Sequence, residues 1–312
     1  MSYFEQKETE LKSKVIPQNG KPDLKEFWDK NVAEVKALPL EVSRTKLETP
    51  YDICITTYEI VYNTHDATKI HAYFSVPAYA KEKLPCVVHF HGGRGKREIY
   101  PDIVSTGVCC FSMDVRGQSG VSIDRAEYET GSINWYQMTE GILDKNEHYM
   151  RNIYMDAIRA MDVVASLPEV DASRIVTYGG SQGGALSIVA SAFSGLSKKC
   201  FTQITSYCCL QQRVENNSGV LNGVNYYLQR YPEHTDAALD TLSYFDVNNL
   251  VSFLDMPVEF CMGLADGTCL PHFVYSVYHH AKSEKKLYMY PGVGHLVTQP
   301  YLNIVHKEFS QL

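Results

Sequence analysis

Residues 176–190, VTYGGSQGGALSIVA, set one serine, Ser181, among four glycines between an apolar run and a run of small residues. Gly179-Gly180-Ser181-Gln182-Gly183 fits the G-x-S-x-G pattern of a nucleophile elbow, a tight strand-to-helix turn that exposes a serine hydroxyl. Its glycines let neighbouring backbone pass without meeting a Cβ. The same letters also fit a plain glycine-rich turn, or a phosphate cradle at a helix N-terminus. A phosphate loop would want Lys followed by Ser or Thr after the glycines, and Ala185 and Leu186 follow here. An elbow serine is inert until a base takes its proton and an acid orients that base, and these partners follow in the chain order Ser, Asp or Glu, His.

That order prunes the candidates. Of the eleven histidines, six follow Ser181. His272, His279 and His280 fall in PHFVYSVYHHAK, which reads as a helix, His306 in a C-terminal helical stretch, and His234 in an irregular region. Surface or packing roles suit these five. His295, in LYMYPGVGHLV, follows the last strand-like run in a Pro-Gly loop able to turn an imidazole toward strand ends, so it is the expected base. The acid belongs in the loop after the preceding strand, where VEFCMGLADGTCLP offers Asp266. An Asp-Gly pair is also a common turn, and position favours Asp266 over Asp246 and Asp255. For an oxyanion hole, one donor is the N–H of Gln182, after the nucleophile; the second is expected from Gly93, in the His91-Gly92-Gly93-Arg94 loop that resembles the HGG motif of esterases. His89 and His91 lack a further ligand at metal-binding spacing, so neither a metal nor a cofactor is expected.

Elements must bring these loops together. From Leu84 onward, short apolar runs alternate with helical patterns: CVVHF (86–90), GVCCFSMD (107–114), RIVTYGG (174–180), FTQITSY (201–207), VEFCMG (258–263) and KLYMY (286–290). HYMRNIYMDAIRAMDVVASL (148–167) carries helical periodicity between them. This is the signature of an α/β fold with a mainly parallel, doubly wound sheet. YDICITTYEIVYN and KIHAYFSVP predict early antiparallel strands, preceded by an N-terminal helical segment over about residues 1–40, with Asp23 as a helix cap and Pro39 as its stop. Residues 208–250 break the alternation and are expected as a helical insertion over the sheet edge. No repeat or linker divides the chain, so a single domain over 1–312 is expected.

A net charge of −7 without a basic run argues against nucleic acid as a partner. The first residues lack the apolar centre of a secretory signal, and no stretch approaches the ~18 apolar residues of a membrane span, so a cytoplasmic protein is expected. The nine cysteines fall mostly within apolar runs, which predicts reduced, buried thiols.

Taken together, DVRGQSG (114–120), GGSQGG (179–184), TLSYFDVNNL (241–250), GLADGTCLP (263–271) and His295 resemble the acetyl xylan esterase/cephalosporin C deacetylase family. This is the seventh carbohydrate esterase family of the α/β-hydrolases, and the likeness runs from PDLKEFWDK to YPGVGH. The resemblance implies Ser181 as nucleophile, Asp266 as acid, His295 as base and a structural role for Arg116 to Gln118. It also implies a homo-oligomer, often a ring-like hexamer, acting on small acetylated sugars or drug-like esters. The chain departs from the family in having Gly93 where a tyrosine is usual, Leu296 in place of a glutamate, and Cys269-Leu270-Pro271 in place of Cys-Pro-Pro. A general short-chain carboxylesterase, a peptidase, an acyltransferase and a silent binding protein on the same fold stay open at this point. Trp135, Tyr207 and the tyrosines at 226–231 suit either packing or a sugar-binding mouth.

Overall fold

Alternating apolar and β-branched residues make the early chain pair as antiparallel strands. In the computed structural model, which describes residues 1–132, 137–217 and 221–312, these are β1 (Val42–Lys46), β2 (Ile55–Asn63) and β3 (Lys69–Pro77). The apolar runs that follow form β4 (Leu84–Phe90), β5 (Cys109–Met113), β6 (Val170–Gly180), β7 (Ser197–Gln203), β8 (Val258–Gly263) and β9 (Lys285–Tyr290). The sheet order is β1-β2-β3-β5-β4-β6-β7-β8-β9, antiparallel through the β3–β5 pairing and parallel from there on.

Successive strand residues face opposite layers. On β4, Cys86, Val88 and Phe90 enter the larger core, while Val87 enters the smaller one on the other face. The larger layer holds α2 (Leu24–Ala37), α4 (Tyr149–Ser166), α5 (Gln182–Ser194) and α10 (Pro271–His280). The smaller packs α3 (Pro101–Val104) and α11 (Gln299–Phe309) on the opposite face through Ile103, Tyr301, Val305 and Phe309. A central parallel sheet covered on both faces explains why its strands read as unbroken apolar runs.

The structure departs from the sequence expectation in several places. β1 is an additional edge strand, mostly exposed, whose polar VSRTK carries no apolar signal. The N-terminal segment holds two helices, α1 (Tyr3–Lys12) and α2, and Asp23 at the start of α2 makes no side-chain cap. Its carboxylate instead accepts from Tyr244 Oη–H (2.5 Å) and Lys145 Nζ (2.7 Å). β7 lies earlier than 201–207: it starts at Ser197 and ends at Gln203, beyond which Ile204 and Tyr207 take positive φ and fold the chain back toward Ser181.

The region 208–250 does not cover a sheet edge, the edges being β1 and β9. Its described helices are α6 (Leu210–Glu215), α7 (Asn222–Arg230), α8 (Thr235–Ser243) and α9 (Val247–Leu250). They follow an interior strand, and α9 packs on α5 and α10. Phe245, just before α9, closes over Trp28, Tyr154 and His148.

Candidate active site

Ser181 joins β6 to α5 with φ +56° and ψ −120°, a conformation that costs a non-glycine residue about 1–3 kcal/mol and persists only where its surroundings enforce it. The enforcement is visible. Ser181 N–H donates to the Gln203 carbonyl (2.9 Å), and the Ser181 carbonyl accepts from Gly184 N–H and Ser206 N–H (3.0 Å each). A Cβ on Gly179 would come within 2.7 Å of the Phe90 carbonyl oxygen, and one on Gly183 would be driven into the same carbonyl. The elbow can therefore press against the end of β4 only with glycine at both positions.

Asp266 and His295 leave adjacent strand ends, those of β8 and β9. The Asp266 Oδ1 accepts N–H groups from Thr268 (2.8 Å) and Cys269 (2.9 Å), which aims Oδ2 at His295 Nδ1, 2.8 Å away. With Nδ1–H given to the carboxylate, Nε2 is left as the acceptor facing the Ser181 hydroxyl, at 3.2 Å. Burial alone would raise the Asp266 carboxyl, but bonds from His295 and from the two amides outweigh it and hold it below the usual carboxylate range. Conversely, the hydrogen bond to Asp266, followed by the influence of the neighbouring Cys269 thiol, lifts His295 above the usual imidazole range against the pull of burial.

Two amides face the same space. Gln182 opens α5, and its N–H has no protein acceptor among the described residues, at the helix end where the dipole favours negative charge. The Gly92 carbonyl accepts from Gly95 N–H (3.0 Å) and from His91 Nδ1–H (2.8 Å). In a planar trans peptide, that turns the Gly93 N–H the opposite way. His91 has its tautomer set by Val115 N–H, which donates to Nε2 at 3.0 Å, and burial pulls its pKa down, so the ring is neutral. Gly93 lines a cleft with Ser181, Gln182, Ser206, Met138 and Tyr149.

The other candidates lie elsewhere. His234 bonds to the Tyr227 hydroxyl (2.6 Å), His280 to the Ile16 carbonyl (2.9 Å), and His306 approaches Asp102 (3.5 Å). Asp246 is buried and caps the N–H groups of Cys209, Leu210 and Asn248, while Asp255 is exposed. All nine cysteines are free, and only Cys54 is exposed. Among the described residues, one set of metal-ligating side chains converges: Asp266, Cys269 and His295, with ligand atoms within 4.8 Å of one another. A metal there would compete with the proton that orients His295 toward Ser181. Trp135 lies outside the described residues; Tyr226 is exposed, and Tyr227 is buried.

Residues that the sequence reading gave only a structural or packing role stand behind this first layer. Tyr207 is buried with its hydroxyl donating to Gln182 Oε1 (2.7 Å), and Gln118 pairs with the same amide. Gln118 lies in DVRGQSG, which reads as a polar turn, and only its nearness in space to Gln182 reveals the contact. Its neighbour Arg116 is fully buried, bonded to Asp156 through Nε and Nη2 (2.7 Å each) and also to Asp66 and Asp124.

The sequence model of the acetyl xylan esterase (AXE1) family matches residues 1–311. The chain is 26% identical to an acetyl esterase of Xylanibacter ruminicola over 88% of its own length, and spans 64% of that protein's length. Among solved structures, an acetyl xylan esterase from Paenibacillus sp. R4 superposes with a TM-score of 0.91 at 33% identity, covering 97% of this chain and 98% of that one. Acetyl xylan esterase 1 from Thermoanaerobacterium sp. JW/SL YS485 superposes at 0.90 with 23% identity over 97% and 98% of the two chains, a likeness of fold. With the α/β-hydrolase architecture and a family match over essentially its whole length, the chain belongs to the acetyl xylan esterase family.

Proposed function

We propose that this chain is a serine esterase that removes acetyl groups from small esters, such as acetylated xylo-oligosaccharides or cephalosporin-like compounds. The observation that carries the reading is the line of contacts from Asp266 Oδ2 through His295 to Ser181 Oγ, at 2.8 and 3.2 Å. In the proposed reaction, His295 Nε2 takes the Ser181 proton as Oγ attacks the acetyl carbonyl carbon. The N–H groups of Gln182 and Gly93 receive the developing oxyanion, and Asp266 steadies the imidazolium. His295 then returns the proton to the departing alcohol oxygen, leaving an acetyl-serine. Water, deprotonated by the same imidazole, attacks that ester and releases acetate. The family resemblance further supports a homo-oligomer, often a ring-like hexamer, and the lack of a dividing linker supports one domain over 1–312.

A broader acyl range is a second reading, favoured by one feature. A Cβ on Gly93 would meet only Gln182 Oε1, at 3.8 Å, so glycine leaves open the space that a larger side chain at this position would fill. Rates on p-nitrophenyl acetate, butyrate and octanoate, with wild type and Ser181→Ala in parallel, separate the two. Steep preference for acetate, lost by several orders of magnitude in the variant, is the expected result. Equal turnover of octanoate would move the assignment to a general carboxylesterase. Near-wild-type turnover by Ser181→Ala would remove the mechanism.

A further inference from the structure

We infer that Gln118 is a positioning residue that locks the two oxyanion donors to one another, with Ser119 securing the opposite side of the same loop. The inference rests on the esterase reading of the site, which assigns the donors to the amides of Gly93 and Gln182. Gln118 lies in the turn after β5, in neither of the loops that carry those amides, and it reaches both. Its Oε1 accepts from Arg94 N–H at 2.8 Å and from Gln182 Nε2 at 3.2 Å. Its Nε2 donates to Gln182 Oε1 at 2.8 Å and to the Tyr149 hydroxyl at 3.2 Å. Both amide protons and both lone pairs of Oε1 are thus engaged, so the side chain has one satisfied orientation. The Tyr149 hydroxyl in turn donates to the Arg116 carbonyl (2.8 Å), which fastens the Gln118 turn to α4.

The second contact acts on the other side of the loop. Ser119 Oγ–H donates to the Arg94 carbonyl at 2.6 Å, so Arg94 is held through both its N–H and its C=O. This holding has something to resist. Arg94 has φ +61°, left-handed backbone that a residue with a Cβ adopts only under constraint. Release of Arg94 would leave the peptide that carries the Gly93 N–H held only through the Gly92 carbonyl, and a peptide turned even partly away no longer meets an oxyanion. On the facing side, Gln182 Oε1 is shared between Gln118 and Tyr207, which fixes the Gln182 side chain just beyond its own N–H. One reciprocal amide pair therefore sets the spacing between the HGG loop and the first turn of α5. Gln118 does not touch the reacting atoms; it acts through Arg94, which adjoins Gly93, and through Gln182.

A preorganised oxyanion hole stabilises the transition state far more than the bound ester, so loosening it should lower kcat and leave KM nearly alone. Gln118→Ala is expected to lose about 100-fold in kcat on p-nitrophenyl acetate, with KM changed by no more than about threefold. Ser119→Ala, an exposed site where the fold has little to lose, should lose about 10-fold in the same pattern. Affinity for a phenylboronic acid, whose tetrahedral serine adduct places an oxygen in the hole, should fall in parallel with kcat/KM. Labelling of Ser181 by a fluorophosphonate, followed to completion, should still reach one per chain in both variants, which shows the fold and nucleophile intact. Unchanged kcat in a folded Gln118→Ala would overturn the inference, as would a loss confined to KM. Should Gln118→Ala fail to fold, Ser119→Ala decides: boronate affinity equal to wild type overturns the proposal. If wild type itself hydrolyses esters without dependence on Ser181, it is the esterase reading that falls, and the Ser181→Ala control identifies that outcome separately.

Discussion

His295 must be neutral before it can take a proton from Ser181, and its surroundings favour the charged form. The bond to Asp266 and the neighbouring Cys269 thiol raise its pKa, whereas the same bond from His295 and the amides of Thr268 and Cys269 lower that of Asp266. The acid limb of kcat/KM is accordingly expected above the ~6.5 of an unperturbed imidazole. Asp266→Asn removes the charge that holds the proton, so the limb should move toward lower pH while kcat falls about 10⁴-fold through loss of the oriented tautomer. A pH–rate profile of both proteins checks this, and an unmoved limb would mean that another group governs it. Stability follows the opposite-signed shifts of the two groups. The raised His295 contributes fully below about pH 6.5 and its contribution is lost as pH rises through the folded value; the lowered Asp266 contributes above about pH 4 and loses its share as pH falls through its own folded value. The pair therefore supports the fold best between roughly pH 4 and 6.5 and supports catalysis best above that window.

At the scale of elements, the elbow depends on how closely α5 approaches the end of β4. Gly183→Ala would push a methyl group into the Phe90 carbonyl, backbone that cannot swing away as a flexible side chain could. Overpacking of this kind costs about 1–3 kcal/mol or more, so a clear drop in melting temperature is expected, by about 2–4 °C for each kcal/mol. Gly180→Ala is the matched control. Its Cβ would sit at ordinary contact distance, 3.8 Å from the Ile204 side chain, so its melting temperature should stay near wild type. Equal melting of both variants would show that the contact has slack. This dependence on close approach also marks what a sequence can disclose. The glycines around Ser181 announce the turn because no other residue fits, and β8 spans Val258–Gly263 as its apolar run does. β1 escaped notice because its side chains are largely exposed, and β7 was displaced because Lys198 and Lys199 interrupt the apolar pattern although Lys199 Nζ reaches Glu259 at 2.7 Å. Ser181, Asp266 and His295 could be selected from their order along the chain, whereas Gln118 and Tyr207 could not. Their bonds to Gln182 span 64 and 25 positions and leave no local periodicity.

Across the whole molecule, a continuous path links the N-terminal segment to the cleft. Trp28 of α2 is fully buried, donates from Nε1 to the Tyr244 carbonyl (2.9 Å), stacks on Phe193 of α5 with ring centroids 5.3 Å apart, and meets Phe245 edge-on at 6.0 Å. Next along the chain, Asp246 caps the Cys209 and Leu210 amides, and Val247 N–H donates to the Tyr207 carbonyl at 3.0 Å. Tyr207 then holds Gln182. The N-terminal segment grips the insertion elsewhere as well, through Gln18 to the Asn248 carbonyl (2.6 Å) and Asn19 N–H to the Asn249 side chain (3.0 Å). Trp28→Ala should empty the centre of this arrangement at a cost of about 3–5 kcal/mol, lowering the melting temperature by roughly 5–20 °C. Because the insertion fastens Tyr207, which holds Gln182, thermal loss of esterase activity in this variant should track the loss of far-ultraviolet circular dichroism. Trp28→Phe keeps most of the aromatic volume and leaves only the Tyr244 carbonyl unpaired, so its loss should be smaller. Activity lost well below the dichroism transition would instead mean that the insertion melts as a separate unit, with the sheet and the N-terminal helices standing without it.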